Sequence, residues 1–157
     1  MKKGAWIFGF LAITLLGWRS LSHDRADPKL AFDRFWVDHV AASRDDKFEA
    51  LFIDGSRPWG RFGSQTWFRG KWEAFHYHVI PRQDGHLQIT YPAVDEQEEV
   101  VLNARPCRER GFDFCLDITG NSRGQHRYYS RKQWRVRDGN VEAVEDQARA
   151  ELAPASR

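Results

Sequence analysis

From Asp46 onward the chain alternates short apolar and polar runs with clusters of turn residues, the pattern of antiparallel strands. Phe48, Ala50 and Phe52 alternate with Lys47, Glu49 and Leu51, and Asp54-Gly55-Ser56 closes that run. The stretch RPWGRFGSQTWFRGKW (57–72), dense in Gly, Trp and Arg, reads as a short irregular strand with a turn at Arg69-Gly70. KWEAFHYHVI, PRQDGH and LQITY then form a hairpin. A two-residue Asp84-Gly85 loop would set His78 opposite Tyr91. A three-residue loop with Gly85 left-handed sets Val79 opposite Ile89, Tyr77 opposite Tyr91 and His78 opposite Thr90, with Phe75 beyond on the apolar side. The second register gathers the apolar groups on one face and is preferred, because burial selects register strongly.

The next hairpin is read the same way. Cys107 opposite Cys115 across RERGFDF brings Pro106 to Leu116 and Ala104 to Ile118 on the inward face, and Arg105 to Asp117 on the other. Phe112 and Phe114 extend the inward row. After TGNSRG, the runs QHRYYS and WRVRDG are expected as the last strands. Upstream, Asp27-Pro28 has the form of an N-cap with proline at the first helical position, which predicts a short helix over 29–41. In the tail, Val141, Val144, Ala148 and Leu152 could line a weak helix, though a disordered end fits equally. The expected fold is mainly β, a small antiparallel meander or up-and-down barrel with a short N-terminal helix. Residues 29–137 form its single β-domain and 138–157 a C-terminal tail.

The start of the chain changes where that domain is expected to work. MKKGAWIFGFLAITLLGWRSLSHD has two lysines, an uncharged run from Ala5 to Trp18 and a polar stretch, the layout of a secretory signal over residues 1–22. Fourteen residues as a helix rise roughly 21 Å, short of the ~30 Å hydrocarbon core. An uncleaved anchor through residues 5–18 is the alternative, because Arg19 sits hard against the apolar run. Either way the rest of the chain is expected outside the cytoplasm, in the periplasm or secreted. The formal charge of +2 is affected too, since residues 1–22 hold three of the 24 basic residues and no acid. Without them 21 basic residues face 22 acidic ones, so the basic balance is no sign of a nucleic-acid partner. In an oxidising compartment the two cysteines, Cys107 and Cys115, are most economically one disulfide.

Candidate chemistry is sparse. No GxSxG, HExxH, CxxC or Walker A pattern occurs. His76 and His78 share an outer strand face, but His86 is expected roughly 13 Å away, so a four-ligand zinc site is not expected. GNSRG (120–124) could cradle an anion with backbone N–H groups, but is most simply a turn. HRYYSRKQWR (126–135) interleaves basic and aromatic residues, as a half-buried strand with a solvated basic face does.

FDFCLDITGNSRGQHRYYSRKQW (112–134), with TYP at 90–92 and DRFWVDHV at 33–40, resembles a family of small exported bacterial proteins, many of them lipoprotein-like. The resemblance covers roughly residues 33–134, implies an envelope or secreted location and implies no activity. This chain departs from the pattern in having no lipid-attachment cysteine. A likeness to lipocalins is one of architecture alone, because their Gly-x-Trp signature has no clean match here.

These readings lead to a non-catalytic envelope protein without a cofactor or metal. One form of it binds a small apolar or amphiphilic ligand in a barrel lined by Phe75, Tyr77, Ile89, Phe112 and Phe114. The other is a structural or interaction module that meets an envelope protein or a glycan through an outer aromatic and basic face around Trp72, Tyr128 and Trp134. A high aromatic content, 14%, favours a filled interior over a hollow one but does not decide between them.

Overall fold

A computed structural model describes residues 25–66 and 70–153; the expected signal or anchor lies outside them, as does most of the Arg69-Gly70 turn. Eight antiparallel strands follow one another around a closed barrel: β1 (Phe35–Val37), β2 (Phe48–Ile53), β3 (Trp59–Gln65), β4 (Glu73–Val79), β5 (His86–Tyr91), β6 (Glu96–Pro106), β7 (Phe114–Thr119) and β8 (Arg127–Ser130). β8 returns to β1 through Val37 and Tyr129, so the sheet keeps no free edge there. A 3-10 turn (Pro28–Ala31) precedes the barrel, and helix α1 (Val141–Leu152) follows it.

The expected N-terminal helix is instead this 3-10 turn followed by β1. Asp27 does cap it, accepting the Lys29 N–H at 3.0 Å, with Pro28 next. The helix ends there because Phe-Trp-Val favours a strand. β1 escapes recognition because both of its faces are covered: Trp36 enters the barrel, while Phe35 and Val37 join a second cluster outside it. A strand buried on two sides shows no alternation to read. In β2 the set Phe48, Ala50 and Phe52 likewise lies on the outer side, while Leu51 and Ile53 face the interior.

The outer cluster is covered by α1. Asn140 caps this helix through the Ala143 N–H at 3.2 Å, and its apolar line is Val141, Val144, Ala148 and Leu152. These pack with Phe35, Phe52, Phe112, Tyr129 and Trp134. Glu151 accepts the Trp134 indole N–H at 2.9 Å and pairs with Arg131 at 3.1 Å, which pins the far end of the helix. WRVRDG is not a last strand; it makes a single bridge, Arg135 to Arg34, on its way to α1.

Both hairpins pair two residues away from the expected register. Tyr77 faces Ile89 and His78 faces Gln88, while Arg105 faces Cys115 and Pro106 faces Phe114. Because side chains repeat every two residues along a strand, such a slip leaves each one on its expected side. The first turn is longer than expected because Pro81 has no N–H to give the ladder and the Gly85 carbonyl is taken by the Leu102 N–H of β6 at 2.8 Å. Gly85 does adopt a left-handed φ of +78°, and a side chain there would strike the Leu102 carbonyl. Cys107 and Cys115 form a disulfide with Cα atoms 5.7 Å apart, set diagonally rather than directly opposite.

Candidate functional site

The strand order divides the barrel into two ends. One, the loop end, carries the β1–β2, β3–β4, β5–β6 and β7–β8 connections; the other, the turn end, carries the remaining hairpins and the 3-10 turn. Between them the interior is packed. Phe62, Phe75 and Tyr91 form a triangle with ring centroids 5.9–6.3 Å apart, and Phe32 meets Tyr77 at 5.7 Å. Gly60 permits this, since a Cβ there would lie 2.3 Å from the Phe75 ring.

Of the residues expected to line a ligand, Phe75, Tyr77 and Ile89 lie together in this interior cluster, with Phe114 partly buried against it. Phe112 does not join them. It precedes β7, so the strand alternation does not reach it, and it stacks on Tyr129 at 5.3 Å in the outer cluster. Nor do the three residues expected to centre an outer aromatic face gather on the surface. Tyr128 points into the barrel, Trp134 is buried under α1, and Trp72 is half-buried against Phe35.

At the loop end the alternation of β2, β4 and β6 turns Glu49, Glu73, Glu96 and Glu98 to the interior side. The loop 120–126 lies across them. Its seven residues, Gly-Asn-Ser-Arg-Gly-Gln-His, include no apolar side chain. Ser122 donates its backbone N–H and hydroxyl to Glu98 at 2.8 and 2.7 Å. Arg123 pairs with Glu73 at 2.8 Å and Glu96 at 3.0 Å, over the Tyr91 ring. Gln125 donates its N–H to the Tyr128 hydroxyl at 2.9 Å. The loop therefore does hold an anion, and the anion is the chain's own Glu98. Burial opposes that charge, yet the Tyr91 hydroxyl and the two Ser122 donors outweigh it and hold the carboxyl below its usual range. Burial, together with the hydroxyl's bond to the Glu98 carboxylate, pushes the Tyr91 phenol up.

Glu49 behaves oppositely. Its carboxylate has one hydrogen-bond partner among the described residues, the Tyr128 hydroxyl at a long 3.5 Å, and no cation. Burial and the nearby Asp38 push it up. Gly124 of the loop sits over it, close to Tyr128 and Phe62.

Elsewhere, the outer faces of β4–β6 form an open groove of about 470 Å³ lined by His78, Gln88, Gln97 and Glu99, beside the exposed Val79. His86 meets Glu99 at 3.0 Å on that face and does not complete a site with His76 and His78. A cleft of about 410 Å³ near the turn end is lined by Asp33, Asp54, Arg57 and Asp138. There Asp54 is engaged by Ser56, Arg57 and Trp59 and organises its own loop.

The architecture is an up-and-down eight-stranded barrel, with an aromatic cluster inside and a polar loop over one end. Comparison with family models, curated proteins and solved structures finds no match.

Proposed function

We propose that this is an exported, non-catalytic barrel that binds a small amphiphilic molecule at its loop end. The apolar part of the ligand would rest on the Phe62–Phe75–Tyr91 layer, and its polar part would lie among the inward carboxylates. The observation that carries this reading is the loop 120–126, fastened over an aromatic layer by hydrogen bonds and ion pairs without burying an apolar side chain. Such a cover opens at small cost, because exposed ion pairs contribute about 0–1 kcal/mol each. The ligand belongs at the mouth because the Phe62, Phe75, Tyr77 and Tyr91 rings occupy the interior beneath it. Export is supported by the pattern of residues 1–22 and by the disulfide. The engagement of Glu73, Glu96 and Glu98 with Arg123 and Ser122 supports the non-catalytic reading.

Native mass spectrometry of the protein recovered from its own host's envelope tests this. Added mass from a small molecule, retained gently and lost on unfolding, is the expected result. A bare mature chain would sink it and favour the second reading, an interaction module. That reading rests on the outer groove of β4–β6 and on Val79, 59% exposed beside it.

A further inference from the structure

The turn end holds a buried guanidinium that forms no ion pair among the described residues. Arg34 precedes β1 with the same side-chain direction as Trp36, so its guanidinium enters the barrel end and lies 4.0 Å over the Phe114 ring. The residue is only 5% exposed. Its Nη1 donates to the Arg131 carbonyl at 2.8 Å, and its Nε has no partner among the described residues. Arg61 and Arg131 also bury an unpartnered Nε, but each is neutralised by a carboxylate, Glu145 and Glu151 respectively. Arg34 has no ion pair among the described residues. Arg135, bridged to it through the backbone, adds a second positive charge. The acid acting on it is Asp113, whose carboxylate also accepts the Lys132 N–H at 2.9 Å. Burial, then Arg135, pushes the Arg34 guanidinium down to about 10, which leaves it charged at neutral pH.

Stacking on Phe114 and capping one carbonyl do not require a buried cation, and an uncompensated one is costly. A buried polar group left without a partner in a folded protein calls for a physical reason, and a bound water or ion is one. We infer that Arg34, with Arg135 beside it, forms a binding site for a small oxyanion, phosphate or carboxylate, at the turn end. This site is separate from the proposed loop-end mouth and does not depend on it. The planar guanidinium suits such a ligand, offering parallel N–H groups to two oxygens.

The test is thermal unfolding of the full chain, with its disulfide intact, in phosphate or acetate from 0 to about 20 mM, chloride holding ionic strength constant. For millimolar binding the midpoint rises by about 4 °C over this range, steeply at first and then only logarithmically with anion concentration. This curved rise is expected to vanish in Arg34→Gln and to need several-fold more anion in Arg135→Gln. A rise with phosphate alone assigns the site to phosphate-type anions; a rise with both assigns it to oxyanions in general. A rise linear in anion concentration and shared by wild type and both variants is salt exclusion and overturns the proposal, as does no rise at all. If Arg34→Gln does not fold, Arg135→Gln decides, because that side chain is exposed; unchanged affinity there refutes the site.

Discussion

The two ends of the barrel are closed by different physics. At the turn end the 3-10 turn packs Leu30 and Ala31 onto the interior, Trp36 donates its indole N–H to the Ala31 carbonyl at 3.0 Å, and Asp27 ties its N–H to Ala104 at 2.7 Å. Apolar burial does most of the work there. At the loop end the cover is polar, and its strength lies in carboxylates, Arg123 and two phenols. Apolar burial involves no titrating group and is not weakened by ionic screening, while ionic fastening is sensitive to pH and to screening. The same closed sheet thus has one end closed mainly by apolar packing and one closed by polar fastening.

The largest effect expected from breaking this contrast is at the turn end. Trp36→Ala removes a fully buried ring and its hydrogen bond, and should cost about 3–5 kcal/mol in urea unfolding. A loss under 1 kcal/mol would mean that this end is not held by packing. Next, replacing Cys107 and Cys115 together by serine should cost about 2 kcal/mol, a modest figure because the bridge closes a short loop, eight residues apart in sequence.

At the loop end, Arg123→Ala should leave global stability nearly unchanged, because the pair is partly exposed, yet raise amide exchange across 120–126. Acid should act at the same place. Glu98 is held below its usual range, so its contribution is present above about pH 4 and is lost as the pH falls through its folded value. Exchange over 120–126 should rise there while the Trp36 indole N–H stays protected. Simultaneous loss of both protections would erase the contrast.

The smallest effect sharpens it. Glu49 is pushed up, so its ionised form weakens the fold, and the loss appears as pH rises above the ordinary carboxylate value. Glu49→Gln should therefore raise the unfolding midpoint at pH 7 and leave it nearly unchanged at pH 4. The opposite sign would show that the carboxylate has a favourable partner.

Much of the architecture was legible in the chain because one-sided burial writes itself as alternation. Phe75, Tyr77, Ile89 and Tyr91 face inward, with His76 and His78 outward, whichever of two neighbouring registers is chosen. The antiparallel order of strands, the left-handed Gly85 and the apolar line of α1 followed from equally local signals. The tertiary structure decided what depends on a second layer. Placing α1 on the outside of β1 and β2 hides the alternation of Phe35–Val37 and moves Phe112 and Trp134 out of the lining and off the surface. Register was decided by β6, whose Leu102 N–H claims Gly85, a partner 17 positions away in the chain. The polar end was hidden for the same reason. Glu98 and Glu73 look like solvated surface charges until barrel closure brings Arg123 and Ser122 above them. Local sequence carries side-chain direction; only closure of the sheet says what each direction meets.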